Sequence, residues 1–230
     1  MFIYNNDRNQ ILGPYTSSYN RDRIIATELV EGSSITIELV VNAYNQQDFP
    51  FFTITSVSHD YWNLIDVLTG NEKGKLAKKI EKCHNDINCS IGDNWQTHKR
   101  AVALIVVDGS ALCTGANINN TNFDGTPNFL TANHCYNGNN TTINNSVFYY
   151  NYEKEGCGGN KERPYYTISG ATLLSRNAFS DFTLLRTNGG CVPSSYYPYF
   201  AGWDRTGNNL TNATVIHHPA GNVKKISVDN

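Results

Sequence analysis

The sequence lacks several features that would place it in a common class of protein. No uninterrupted apolar stretch approaches the roughly 20 residues of a transmembrane helix, so we expect no membrane span. Basic residues are not in excess, since 18 Lys and Arg stand against 20 Asp and Glu and leave a formal charge of −2. A broad attraction to nucleic acid or anionic lipid is therefore not expected. No Cys-x-x-Cys pair of a zinc ribbon or a thioredoxin-type redox site occurs either.

The amino terminus also lacks the basic region and the apolar core of a signal peptide. The cysteines nevertheless indicate export, because an even number spread over long intervals is typical of disulfides, which form in oxidising compartments. All six follow residue 80: Cys83, Cys89, Cys113, Cys135, Cys157 and Cys191. We therefore expect a secreted protein. Either its signal peptide has been removed or lies upstream, or the sequence is a fragment.

Residues 1–75 have the pattern of short β-strands separated by polar turns. Apolar and polar residues alternate at 34–41 and again at 52–55, and an aromatic strand at 2–4 precedes a Gly-Pro turn at 13–14. An aromatic content of 12% argues against a disordered chain. We predict a small antiparallel β-sandwich over residues 1–75.

Residues 76–82 are predicted to be a linker. They end a stretch rich in Gly and Lys, 69–82, which contains five lysines. One interpretation is a solvated linker. The other is a site for a Lys-directed protease, since nicking concentrates in exposed linkers.

The sequence after the linker again predicts strands and turns. The continuous apolar run 101–107 is typical of a strand buried on both faces. Shorter strands are predicted at 129–132, 147–152, 182–185 and 214–216. No helical periodicity lasts longer than a turn or two, so we predict an all-β protein with barrel or sandwich domains.

His134 is the strongest candidate for chemistry. It follows small residues at the end of a predicted strand and directly precedes Cys135, and Cys113 lies 22 residues before Cys135. A bridge between these cysteines would hold the backbone beside the imidazole. A general base needs such rigidity, because it must keep one orientation and one tautomer.

The residues around His134 resemble a known family. Cys113-Thr114-Gly115-Ala116, followed by Phe-Leu-Thr-Ala-Asn-His-Cys at 129–135, resembles the region of the catalytic His in chymotrypsin-like serine peptidases. The closer likeness is to the lysyl endopeptidase subgroup of secreted bacterial proteases. Further matches follow in the expected order: Tyr149-Tyr150-Asn151-Tyr152, Ser180-Asp181-Phe182, Ala201-Gly202-Trp203, His217-His218-Pro219 and Lys225-Ile226-Ser227.

The resemblance covers roughly residues 83–230 and implies a chymotrypsin-like double-barrel fold. Residues 83–192 would form the first β-barrel, 193–230 the truncated start of the second, and the β-sandwich a pro-region. His134 would be the general base and Asp181 the carboxylate that orients it, acting on protein or peptide substrates without a cofactor or metal. The oligomeric state is not indicated.

The family's nucleophilic Ser would lie beyond residue 230. Ser194 and Ser195 are poor substitutes, because they lack the glycines that let backbone amides face the substrate oxygen. We therefore expect this chain alone to be inactive. Lys specificity is implied only by the likeness, since the acidic pocket residue of the family also falls in the missing part.

The resemblance further implies disulfides between Cys113 and Cys135 and between Cys89 and Cys157. Cys83 would pair with a cysteine beyond the end of the chain, and Cys191 departs from the family pattern. From sequence alone the connectivity stays open.

Two other features, a His-His pair and a tryptophan, are interpreted as structural. His217 and His218 are neighbours on a predicted strand and point to opposite faces, so one metal ion would not take both. Trp203 is expected to pack in a core.

Two non-peptidase functions stay open: a secreted binding or adhesion protein with a degenerate peptidase domain, and a structural envelope protein.

Overall fold

The computed structural model describes residues 1–17, 24–41, 52–60, 65, 84–136, 139–159 and 165–229. Short strands dominate these residues. They are β1 (Phe2–Asn5), β2 (Ile11–Leu12), β3 (Ile35–Glu38), β4 (Asn85–Asp86), β5 (Val102–Val107), β6 (Ala111–Ile118), β7 (Asn128–Thr131), β8 (Val147–Tyr150), β9 (Tyr166–Ser169), β10 (Ala171–Asn177), β11 (Phe182–Thr187), β12 (Ala213–His217) and β13 (Lys225–Asp229). The helical segments are one or two turns long: Ser90–Trp95, His98–Ala101, Thr141–Asn144, Ser194–Tyr196 and Pro219–Gly221.

Seven strands form one curled antiparallel sheet in the order β10-β11-β7-β6-β5-β8-β9. β5 lies between β6 and β8, and all six of its residues are buried. The prediction of a strand buried on both faces at 101–107 is therefore confirmed.

The two ends of this sheet meet at Gly170. β9 and β10 stand at opposite ends of the strand order, yet only Gly170 separates them in the chain. Its N–H donates to the carbonyl of Ser146, just before β8, at 2.7 Å, and its carbonyl accepts from the N–H of Asn188, just after β11, at 3.0 Å. The corner is thus bonded to the strands on both sides, and the sheet curls into one barrel, half of a chymotrypsin-like fold.

Both faces of β5 are covered by apolar side chains. Ala103, Ile105 and Val107 point into the barrel, where Phe129 and Phe148 pack edge to face with ring centroids 4.9 Å apart. On the outer face Leu104 and Val106 belong to an apolar cluster whose other members come from several segments: Ala26, Leu29, Leu112, Val147, Tyr149, Tyr152, Tyr165 and Val223. Burial on two faces explains why β5 shows a continuous apolar run instead of an alternating one.

β12 and β13 pair with the short β4 in a separate three-stranded sheet. A buried charge cluster joins this sheet to the barrel. Glu153 accepts from Lys99 Nζ at 2.7 Å and lies 3.7 Å from Lys224 Nζ, and the exposed fractions of these three side chains are only 2%, 5% and 0%. Lys224 Nζ also donates to the carbonyl of Lys99 at 2.8 Å. Because every ion has an opposite charge or an acceptor, this polar contact between segments is tolerated.

The amino-terminal residues form a third sheet, β2-β1-β3, around Ile3, Leu12 and Tyr15. The β-sandwich over 1–75 stays a prediction, and the linker at 76–82 lies outside the described residues. The predicted strand at 52–55 is wrong: these residues form no strand, and Phe52 and Ile54 are exposed. The apolar face that the alternation would present stays in contact with solvent, so burial does not stabilise a strand there.

The fold class predicted from the sequence, all-β with a chymotrypsin-like barrel, is confirmed. Among the described residues, no helix is long and apolar enough to cross a bilayer.

Candidate active site

His134 lies in a tight turn that follows β7. The hydroxyl of Thr131, the last residue of β7, donates to the carbonyl of Thr114 in β6 at 2.9 Å. The Tyr136 N–H donates to the Asn133 carbonyl at 3.1 Å and closes the turn that carries His134. Pairing between β6 and β7 therefore fixes the position of the turn that carries the His134 imidazole.

Asp181 stands at the start of β11, in the turn after β10. Its φ is +51°, in the left-handed region that Asp tolerates better than most residues. The side-chain oxygen of Asn177 accepts from the N–H groups of Phe179 and Ser180 and from the Ser180 hydroxyl, which orders the turn. Because Thr183 of β11 pairs with Thr131 of β7, the turn lies beside the end of β7.

The two predicted catalytic side chains are in direct contact. The distance from His134 Nδ1 to Asp181 Oδ2 is 2.7 Å, and the His134 backbone N–H donates to Asp181 Oδ1 at 2.9 Å. A third bond joins the Asn133 N–H to the Asp181 carbonyl at 3.2 Å. Hydrogen bonds from the ring and then from the backbone N–H of His134 lower the pKa of Asp181, so the carboxylate stays ionised at neutral pH.

This arrangement leaves one imidazole nitrogen available for chemistry. An ionised Asp181 only accepts, so Nδ1 carries the proton and Nε2 holds the lone pair. The His134 side chain is 71% exposed and that of Asp181 48%, so the described residues leave the pair open to solvent and substrate. The pair can therefore act as a base with a fixed tautomer.

A serine partner for His134 is absent from the described part of the chain, where no hydroxyl is hydrogen-bonded to the imidazole. Ser194 and Ser195 are exposed in a turn elsewhere on the barrel. The next residue, Tyr196, stacks on Tyr166 of β9 and donates its hydroxyl to the Thr167 carbonyl at 3.0 Å. The turn thus packs on β9, whereas the dyad lies at the end of β7 and the start of β11.

Two cysteine pairs lie at disulfide distance. The Cα atoms of Cys113 and Cys135 are 6.2 Å apart, and those of Cys89 and Cys157 are 4.4 Å apart. These are the pairs that the resemblance implies. Cys191 is free and exposed, and Cys83 lies outside the described residues.

One group of side chains has the donors of a metal site. Ligand atoms of Cys113, His134 and Cys135 all lie within 4.8 Å of one another. While the two sulfurs are joined in a disulfide they are not thiolates, so this group does not bind a metal as it stands.

His217 and His218 face different surroundings, as their neighbouring positions imply. The His217 ring lies edge-on to His84, with centroids 5.2 Å apart, whereas His218 stacks on Tyr152 at 5.7 Å.

The prediction that Trp203 packs in a core is wrong, because its side chain is 52% exposed. It lies in a segment before β12 that forms neither strand nor helix.

The ion cluster of Lys99, Glu153 and Lys224 was not predicted from the sequence. Glu153 lies 54 residues and Lys224 lies 125 residues after Lys99 in the sequence, so no local pattern connects them. Burial of the cluster lowers the pKa of Lys224 to about 8, against the attraction of Glu153.

Comparison with known proteins agrees with this geometry. The family described as lysyl endopeptidase, C-terminal domain, matches residues 78–230. A lysyl endopeptidase of Pseudomonas aeruginosa is 27% identical over 218 residues, which cover 88% of this chain and 45% of that relative. The chain thus spans less than half of the length of that protein. With its barrel, its His-Asp pair and a family match over most of its length, the chain belongs to the lysyl endopeptidase family.

Proposed function

We propose that this chain is part of a secreted serine endopeptidase that cleaves peptide bonds through an acyl-enzyme. The contact of 2.7 Å between His134 Nδ1 and Asp181 Oδ2 carries the proposal. In this scheme Nε2 of His134 takes the proton of a serine hydroxyl as the oxygen attacks the scissile carbonyl. The same nitrogen then returns the proton to the leaving amine. Asp181 holds the tautomer and stabilises the imidazolium.

The nucleophile and the oxyanion hole are proposed to come from family sequence beyond these 230 residues. The coverage of 45% of the Pseudomonas relative supports this, as does the absence of a Gly-x-Ser-Gly motif from these 230 residues. The chain by itself would then be inactive, because a base without a nucleophile forms no acyl-enzyme.

Preference for Lys and extracellular location are proposed from the relative's printed name and from the cysteine pairs. We also propose that residues 1–75 act as a pro-region and that cleavage in the Lys-rich linker at 76–82 activates the enzyme. A full-length enzyme that is equally active with an uncleavable linker would contradict that last step.

A fluorophosphonate probe tests the serine mechanism, because it labels only activated serines. We expect labelling of the full-length gene product and none of the 230-residue chain. The His134→Ala variant of the full-length protein should lose labelling, whereas the matched variant His98→Ala, at an exposed histidine elsewhere, should keep it. Labelling of the short chain would refute the absence of a nucleophile. A folded full-length protein that is not labelled would refute the peptidase proposal.

A non-catalytic binding protein is the second candidate. The exposed Trp203 is the observation that favours it, since an exposed aromatic ring is a common contact for a partner. This candidate predicts that the full-length protein contains no serine in a Gly-x-Ser-Gly context and is not labelled by the probe.

A further inference from the structure

The imidazole of His134 lies directly beside the Cys113–Cys135 disulfide. A ring nitrogen of His134 and the sulfurs of Cys113 and Cys135 lie within 4.8 Å of one another. Two thiolates and one imidazole are a donor set that zinc takes in structural and catalytic sites. The disulfide bond is what keeps these three groups from acting as one site.

We infer that reduction of the Cys113–Cys135 disulfide creates a binding site for Zn²⁺, with His134 as the third ligand. A dithiol reductant supplies the two electrons and two protons: it becomes a cyclic disulfide, the sulfur–sulfur bond breaks, and two thiols form. Zn²⁺ then displaces the two thiol protons to solvent and takes the imidazole lone pair. A fourth position stays open to water.

The backbone around the site is held independently of the disulfide. Cys113 lies within β6, opposite Ile105 of β5, and the Thr131 hydroxyl bonds the Thr114 carbonyl. The Asn133 N–H is bonded to the Asp181 carbonyl. These contacts remain when the bridge opens, so the three donors stay close together.

The required movement is small. Tetrahedral zinc with Zn–S bonds of about 2.3 Å and Zn–N bonds of about 2.0 Å spaces its ligand atoms by about 3.5–4 Å. The sulfurs must separate from bonding distance, and the distance from the nitrogen to either sulfur needs to shorten by at most about 1.3 Å. His134 is exposed and Cys113 is half-buried, so reductant and metal can both reach the site.

The site would compete with the proposed base function of His134, because a ring nitrogen bound to zinc cannot accept a proton from serine. This consequence rests on the proposed function, whereas the metal site itself does not. A readout other than activity therefore distinguishes the two proposals.

Thiol protection in the 230-residue chain tests the site. The chain is reduced with a water-soluble phosphine, which is oxidised to its phosphine oxide as water supplies the oxygen and protons. It is then alkylated with iodoacetamide, with and without Zn²⁺, and each cysteine is followed by peptide mass spectrometry. We expect Zn²⁺ to slow alkylation of Cys113 and Cys135 by at least about tenfold, and His134→Ala to abolish that protection. The exposed Cys191 should react at the same rate throughout.

Two controls make the result decisive. Among the described residues the Cys89–Cys157 pair forms no such ligand group with a histidine, so it reports non-specific chelation by two adjacent thiols. His98→Ala changes an exposed histidine away from the site and should retain the protection of Cys113 and Cys135. Equal alkylation with and without Zn²⁺ would overturn the inference. Protection that persists in His134→Ala, or that extends equally to Cys89 and Cys157 as in an unfolded chain, would also overturn it.

Discussion

The Asp181 carboxylate accepts two hydrogen bonds from His134, one from the ring at 2.7 Å and one from the backbone N–H at 2.9 Å. One side chain therefore fixes both the orientation of the imidazole and the turn that carries it. The pair is held by β-pairing, because β7 and β11 are adjacent strands and each contributes one member from its end. The strand pairing of the barrel thus holds together the proposed base and the carboxylate proposed to orient it.

Removing the imidazole should raise the pKa of Asp181. In His134→Ala the carboxylate loses the ring hydrogen bond, which is the largest cause of its lowered pKa, but keeps the backbone one. We expect the Asp181 pKa to rise towards the ordinary range of aspartate. Carboxyl-carbon NMR titration of the 230-residue chain measures it. His98→Ala is the control, and a pKa that is the same in both variants would contradict the assigned hydrogen bond.

Removing Glu153 should destabilise the protein strongly. Glu153→Ala leaves the buried ammonium groups of Lys99 and Lys224 without a counter-charge, which typically costs about 3–5 kcal/mol. Urea denaturation compares its free energy of unfolding with that of Glu31→Ala, an exposed position where a change within about 0.5 kcal/mol is expected. A Glu153→Ala loss below about 1 kcal/mol would show that the cluster is not a closed ion network.

Gly170 should tolerate no side chain. In Gly170→Ala the residue keeps a φ of +75°, and its Cβ would meet the Asn188 amide and lie 3.1 Å from the Asn144 carbonyl. Gly125 is a matched control, since its φ is +72° and a Cβ there meets nothing within 4 Å. We expect Gly125→Ala to cost about 1 kcal/mol from backbone strain and Gly170→Ala clearly more. Equal shifts of the urea midpoint would mean that the barrel corner is not tightly packed.

Glu28 should make the docking of the amino-terminal segment depend on pH. Its carboxylate accepts from the Thr167 hydroxyl, and the N–H of Leu29 donates to the Tyr149 hydroxyl at 3.4 Å. Burial raises the pKa of Glu28 in the folded state, partly offset by the Thr167 bond. The folded state therefore binds this proton more tightly than the unfolded chain. Its contribution is complete at low pH and is lost as pH rises through the raised pKa.

The substitution Glu28→Gln removes that titration. We expect the stability of Glu28→Gln to increase relative to wild type between about pH 4 and pH 8, as measured by urea midpoints. Glu31→Gln, at an exposed position nearby, should show no such trend. A wild-type protein that gains stability relative to Glu28→Gln as pH rises would reverse the assigned direction.

The sequence by itself determined the local features of this protein. The run of apolar residues at 101–107 was sufficient to predict the central strand. A strand that is buried on both faces has apolar side chains at every position. The segment Phe-Leu-Thr-Ala-Asn-His-Cys at 129–135 indicated the candidate base, and together with the further matches in the expected order it indicated the family. Such signals lie within a few residues of one another, where strand periodicity and turn chemistry act.

Only the tertiary structure decided which distant groups meet. The family resemblance implied that Asp181 orients His134, but the contact itself joins residues 47 positions apart and depends on the register of β7 and β11. The Lys99–Glu153–Lys224 cluster and the exposure of Trp203 likewise depend on which surfaces the barrel covers. Charges and aromatic rings look the same in a sequence whether buried or solvated. Their energies are set by neighbours that the fold brings from elsewhere in the chain.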